Sequence, residues 1–261
     1  MNEALYPLIF KRKSFHLFRD NRTRISYSET HHINEDEYRM IEEFFVKTER
    51  LDPDIRIAMR IADNEETSCA RGQEKVILLY SEEKGNWLMN IGYVGEQLDL
   101  YLASLNIGTL WFGLNKKDMP DLDDLKYVIM IAVCKVPEDS FRKDMFKATR
   151  KSLDEIWQGE TIEGVSDIVR FAPSACNTQP WITRYEDPIL HVYRYRSPVK
   201  KGVMPEAGLI HYNHIDIGIF LCFLELCLKH EKIAFKRKLY IDDHNDELNP
   251  VADYEVTFPK K

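Results

Sequence analysis

What this chain lacks narrows its chemistry. No G-x-G-x-x-G spacing occurs in its 261 residues, which excludes a Rossmann cradle for a dinucleotide. The five cysteines, at positions 69, 134, 176, 222 and 227, form no C-x-x-C pair and are odd in number. They read as reduced thiols rather than a disulfide frame or a zinc site. Basic charge is not in excess: the net charge is −7, and no basic stripe with interleaved aromatics argues for a nucleic-acid partner. The longest apolar stretch, Ile215–Leu228, carries Asp216 and Glu225 and is expected to be a buried helix rather than a membrane span. The first residues, MNEALYPLIFKRK, have neither the apolar core nor the cleavage site of a secretory leader. These absences predict a soluble, cytoplasmic protein with no membrane or nucleic-acid partner.

What is present suits a sizeable core, since 44% of the residues are hydrophobic. Patterning predicts helices over Ala4–Arg12, Asn34–Glu49, Asn90–Leu105, Ile162–Phe171 and Ile215–His230. Asn34 is the expected N-cap of the second, with acidic residues in its first turn. Strands are expected over Lys75–Tyr80, Val128–Val136, Ile189–Tyr195 and Ala252–Phe258. Short strands separated by helices indicate an α+β fold with helices packed on a sheet.

Ala172 to Trp181, APSACNTQPW, is the densest packet of polar and aromatic groups in the chain. Its prolines remove backbone donors and fix φ, so it must be a rigid loop rather than an extension of the preceding helix. Ser174, Asn177 and Gln179 offer both donors and acceptors, which suits the edge of a heterocycle. A proline-punctuated turn that caps a helix is the other reading of the same residues. Cys176, alone in this loop, reads as a small packed residue.

This loop resembles the A-P-S-x-x-N-x-Q-P-W signature of the nitroreductase family of FMN-dependent oxidoreductases. Arg12-Lys13-Ser14-Phe15-His16-Leu17-Phe18 resembles that family's R-R-S-x-R-x-F phosphate-binding stretch. Lys147–Ile156, KATRKSLDEI, resembles its K-S-R-x-P-L-x-E-I segment. In the family the signature loop follows the R-R-S stretch closely, whereas here it follows the third motif. A tandem duplication would account for that order, as in the single-chain putative TM nitroreductase subgroup, where one polypeptide mimics the family's homodimer. Direct comparison supports it: without gaps, Ile91, Gly92, Leu98, Leu100, Leu102 and Ile107 fall opposite Ile217, Gly218, Leu224, Leu226, Leu228 and Ile233. Asp99 falls opposite Glu225, and Val128–Val133 opposite Tyr254–Pro259. The expected halves are residues 1–158 and 159–261, forming an intramolecular pseudo-dimer that is a monomer or a weak homodimer.

The resemblance implies FMN as cofactor, and NAD(P)H with a nitroaromatic, quinone or similar small acceptor as partners in a ping-pong oxidoreductase reaction. Arg12, Ser14 and Arg150 would hold the phosphate and ribityl chain, helped by Lys13. Pro173, Ser174 and Asn177 would approach the ring system, with Gln179 and Trp181 shaping the wall. Leu110, Trp111, Phe112 and Gly113 would pass beneath the flavin. No side chain need act as acid or base, because the cofactor carries the chemistry. His211, Tyr212 and His214 read as solvated residues at a helix start. A flavin-binding protein without turnover, for storage or sensing, is the alternative the same motifs allow.

His16 stands where the family has Arg or Lys, beside the edge of the flavin that gains negative charge on reduction. Histidine exchanges its proton in the neutral range, so its support for that charge varies with pH. A spectroelectrochemical titration from about pH 5.5 to 8.5 should give a steeper slope for the native chain than for His16→Lys; equal slopes would refute this role.

Overall fold

A computed structural model of the chain describes residues 1–114, 116–196, 206–243 and 246–260. The chain packs as two compact units. One comprises Pro7–Trp87 and Val94–Met145; the other comprises Met1–Tyr6, Leu88–Tyr93 and Phe146–Lys261. The main break falls at 145/146, where 158/159 is expected, and two short pieces from earlier in the chain join the later unit.

The first unit contains most of α1 (Tyr6–Lys11), then α2 (Glu35–Val46), β1 (Ile57–Ala62), β2 (Lys75–Ser81), most of α3 (Trp87–Ser104), β3 (Ile107–Phe112) and β4 (Lys126–Lys135). Asn34 caps α2 as expected: its side chain accepts from Glu37 N–H while the Glu37 carboxylate accepts from Asn34 N–H. The sheet order is β1-β2-β4-β3, antiparallel throughout. β2 is buried almost along its whole length, as a central strand covered on both faces must be. The core on this sheet gathers Phe15, Phe18, Val76, Leu78, Tyr80, Leu110, Phe112, Met130 and Phe141. Sequence patterning does not disclose β1 and β3; β1 sits at a sheet edge and is only half-buried, which weakens its apolar signal.

The second unit contains α4 (Leu153–Ile156), β5 (Trp157–Gly159), α5 (Ser166–Val169), β6 (Trp181–Glu186), β7 (Ile189–Tyr195), α6 (Glu206–His230), β8 (Ala234–Leu239) and β9 (Leu248–Thr257). The helix expected over Ile162–Phe171 is a single turn, because Gly164 takes φ +73° and breaks it. The Glu231 side chain lies against Gly164, and the left-handed φ there is what a residue with a Cβ would resist. α6 begins earlier than expected, so His211, Tyr212 and His214 lie within it rather than at its start. The segment Gly208–His230 is long and apolar enough to cross a membrane, unlike the shorter run Ile215–Leu228, yet 78% of its apolar window is buried. It is the core helix of this unit.

The second sheet has the order β5-β6-β7-β9-β8, antiparallel except for β5 beside β6. Without β5, this order repeats that of the first sheet, with a long helix entering after the second strand in each. Both central pairings carry a bulge directly before a tyrosine, between Leu79 and Tyr80 in β2 and between Val192 and Tyr193 in β7. The gapless register holds through the helix but not to the last strand. Phe112 pairs with Met130 and the equivalent Lys238 with Asp253, whereas the gapless register sets Met130 opposite Val256, three residues further on.

Within the second unit, the segment Leu88–Tyr93 crosses α6 at two glycines. A Cβ on Gly218 would lie 1.9 Å from Met89 O, and one on Gly92 would lie 2.0 Å from Ile215 O. Met89 and Ile215 are themselves equivalent in the gapless register, so the contact is reciprocal. Only hydrogen fits between these backbones. Gly92→Ala and Gly218→Ala should each lower the free energy of unfolding by about 3 kcal/mol or more, read from urea midpoints; losses below about 0.5 kcal/mol would show that the helices part easily.

Candidate functional site

The signature loop lies wholly in the second unit, between α5 and β6. Ser174 starts a 3-10 turn over Ala175–Asn177, and Trp181 opens β6. Three non-glycine residues, Cys176, Asn177 and Gln179, hold φ values of 51°, 54° and 47°. Such backbone is costly for side chains with a Cβ and persists only where surroundings impose it. The imposing bonds are visible. Gln179 N–H donates to Ser174 Oγ at 2.9 Å, and Gln179 Oε1 accepts from Lys151 N–H at 2.9 Å. Lys151 Nζ donates to Gln179 O at 3.0 Å, and Arg150 Nη1 donates to Asn177 Oδ1 at 3.1 Å. The core helix adds two anchors: Ala175 N–H donates to Asp216 Oδ1 at 2.9 Å, and Thr178 Oγ1 donates to Asn213 Oδ1 at 3.2 Å.

The expected flavin-facing side chains therefore divide. Gln179 is buried, and its amide is engaged by Lys151 and Asn177, so it shapes the loop from within. Trp181 is fully buried, stacked on Phe220 at 4.8 Å between centroids, and belongs to the core. Pro173 is buried, while Ser174 and Asn177 remain half-exposed. Cys176 is exposed at the tip, not packed as the sequence suggests. Asp216 is buried, and burial pushes its carboxyl up to about 8 against the opposing hydrogen bond from Ala175 and the nearby Thr178 hydroxyl.

The phosphate stretch lies in the first unit. Arg12 is buried, with Nε 2.8 Å from Asp99 Oδ2 and 3.4 Å from Glu96 Oε1, and its Nη2 donates to Ser14 Oγ at 3.2 Å. Asp99 also accepts from Thr109 and from Trp111 Nε1, so one helix carboxylate ties α3 to β3 and to the chain before it. Ser14 forms an isolated parallel bridge with Thr109, and Phe15 N–H donates to Thr109 O at 2.9 Å. Gly108 lets the Phe15 ring reach the strand, since a Cβ would lie 2.8 Å from it. Leu110 and Phe112 are core residues, Trp111 and Gly113 are half-exposed, and His16 is exposed.

A further cation stands beside these residues. Arg142 is half-buried and makes no ion pair among the described residues, and burial together with the charge of Arg12 disfavours its charged form. Lys13 is disfavoured likewise, by burial first and then by Arg142, although its Nζ donates to Ser140 O at 2.8 Å. No carboxylate contributes to either displacement. Arg142 has no motif around it, so no sequence signal marks it. Asp216 shows in the sequence only as a charge interrupting an apolar helix.

The sequence profile described as "Putative TM nitroreductase" matches residues 4–228. The chain belongs to this family. It is accordingly a nitroreductase-family oxidoreductase, and the family is FMN-dependent. Among curated proteins none matches. Among solved structures, a nitroreductase described as putative from Thermotoga maritima MSB8 is similar, with TM-score 0.62 and 17% identity over 98% of this chain and 94% of that one. That likeness establishes the nitroreductase fold. A Desulfovibrio desulfuricans nitroreductase, also described as putative and solved with FMN, has TM-score 0.41 and 14% identity over 62% of this chain and 99% of that one.

Glu96 sits beside the Arg12–Asp99 pair with neither oxygen hydrogen-bonded. Burial holds its carboxyl well above the ordinary range, Asp99 adds to this, and Arg12 and the nearby Trp111 only partly offset it. An acid raised in the folded state binds its proton more tightly there than in the unfolded chain. Its contribution to stability is complete below the unfolded value and is lost as pH rises towards the folded one. Glu96→Gln should therefore raise stability at pH 7 by about 1 kcal/mol or more and flatten the decline from pH 5 to 8. Thermal melts across that range test this, and a variant less stable than the native chain at pH 7 would contradict it.

Proposed function

We propose that this protein is an FMN-dependent oxidoreductase that passes electrons from NAD(P)H to a nitroaromatic, quinone or similar acceptor by a ping-pong cycle. The observation that carries the cofactor reading is the pair of cations Lys13 and Arg142, clustered at the R-K-S stretch with no acidic group among the causes of their displacement. Positive charge held partly out of water with no acidic partner favours the uptake of an anion, and a phosphate dianion suits it. Arg12 has its charge matched by Asp99, so its part is to orient the Ser14 hydroxyl, which becomes a further phosphate contact. When bound, FMN supplies the two-electron chemistry.

Around the signature loop, Ser174 and Asn177 would meet the flavin, with Pro173 and Gln179 setting the loop behind them and Arg150 adding positive charge beside Asn177. Leu110, Trp111, Phe112 and Gly113 would offer backbone close to the ring, and His16 an exposed titratable group. The tandem-duplication reading has its own support. Strand order repeats, bulges recur before Tyr80 and Tyr193, and the glycine contacts are reciprocal. The equivalent carboxylates Asp99 and Glu225 each accept from equivalent positions on the next strand, Trp111 and Arg237.

Arg142→Ala should weaken FMN at least about tenfold while leaving riboflavin, which lacks the phosphate, within about twofold. Flavin fluorescence titration separates the two. Equal losses for both flavins would remove Arg142 from the phosphate. Bleaching of the reconstituted protein by NAD(P)H, followed by recovery of colour on adding a nitro compound, distinguishes turnover from simple flavin binding.

A further inference from the structure

The loop that carries the family signature is held in an unfavourable backbone shape, and the core helix α6 is one of its two supports. Asn213 and Asp216 lie one turn apart and face the loop together, accepting from Thr178 Oγ1 and Ala175 N–H. Asp216 Oδ1 accepts the Ala175 bond, whereas Asp216 Oδ2 is buried and has no hydrogen-bond partner among the described residues.

We propose that Asp216 is a positioning residue: from inside α6 it sets the shape in which residues 174–179 meet a flavin, and loss of its proton loosens that shape. The inference rests on the FMN reading above. Its physical basis is the cost of a buried carboxylate with one oxygen unpaired. While neutral, the side chain accepts from Ala175 at little cost. Once ionised, it must find a second donor or water, and the elements touching it differ in how easily they yield. The helix is locked by its glycine crossing. The loop, with three residues already in the left-handed region, is the part that gives way.

The groups around Asp216 do not replace this proton. Cys176 on the loop is exposed, and Arg150 and Lys151 reach the loop at Asn177 and Gln179. On its own helix, Tyr212 is a neutral phenol raised further by burial, and His214 Nδ1 lies 2.8 Å from Ile210 O. The segment Leu88–Tyr93 presents Met89 and Tyr93 backbone to Gly218 rather than a charge. Burial is the largest cause of the displacement at Asp216, and no charged neighbour is among the causes.

The test uses the full chain with Asp216→Asn, which keeps an acceptor oxygen but cannot ionise, and Asp216→Ala, which removes the anchor. Two readouts are needed: the FMN dissociation constant, and the alkylation rate of Cys176, the other four cysteines being buried. Dividing the native rate by that of Asp216→Asn cancels the thiol's own pH dependence. If only the protonated form binds well, native affinity should fall about tenfold between pH 7 and 9. The alkylation ratio should step over the same interval. Asp216→Asn should bind FMN as the native chain does at pH 7 and lose its pH dependence, while Asp216→Ala should bind weakly throughout. Parallel pH slopes for the native chain and Asp216→Asn, with FMN bound by both, would overturn Asp216 and leave the flavin reading intact. A step in the alkylation ratio with no FMN bound at any pH would overturn the flavin reading and uphold Asp216 as the residue that sets the loop.

Discussion

A carboxylate inside an apolar helix must find donors within the protein, and in each unit of this chain that demand fixes how a long helix meets its sheet. Asp99 on α3 draws Arg12, Thr109 and Trp111, while Glu225 on α6 draws Tyr93, Arg237 and Tyr254. Buried ion pairs of this kind add little net stability, because desolvation cancels most of the attraction. What they supply here is register. Sliding either helix by one turn would strand a carboxylate among aliphatic side chains, a cost larger than the packing gained. The phenols of Tyr93 and Tyr254 are correspondingly pushed up, by burial first and then by the Glu225 charge, and remain donors at every physiological pH.

The same economy of polar groups governs the signature loop. A reading based on residue type assigns Asn177 and Gln179 to a ligand, because amides suit a heterocycle. The structure uses much of that capacity internally: the Gln179 amide bridges Lys151 and Asn177, and Asn177 Oδ1 takes Arg150. A loop with left-handed backbone at Cys176, Asn177 and Gln179 could not hold its shape otherwise. On the proposed reading, ligand contact would fall to the half-exposed Ser174, to the rest of Asn177 and to the backbone.

Strands and helices with one consistent pattern are legible in the sequence. The expected limits of β7 are its observed ones, and the capped start of α2 follows from Asn34 and the acidic first turn. β8, AFKRKL, escapes notice because an exposed edge strand alternates lysine and arginine with half-buried residues and so reads as a charged run. α5 is over-extended in the sequence reading because residue type alone does not show that Gly164 takes a left-handed φ. At the site, motif residues are found where the motif is contiguous. Arg142 and Asp216 are not, since their significance comes from neighbours distant in the chain: Arg12 for one, Ala175 for the other.

A motif arginine need not act through its charge. Arg12 matches the family's first phosphate-binding position, yet its guanidinium faces Asp99 at 2.8 Å and its field outside the protein is largely cancelled. Arg142 and Lys13, which match nothing or match weakly, have no acidic group among the causes of their displacement. Coulomb attraction to an incoming anion depends on net local charge, not on residue identity. On the proposed reading, Arg12 would contribute geometry, holding Ser14 in place, while the other two cations would supply the field. Removing Asp99 would leave Glu96 beside Arg12 and would also release α3 from β3, so the two roles cannot be exchanged within this fold.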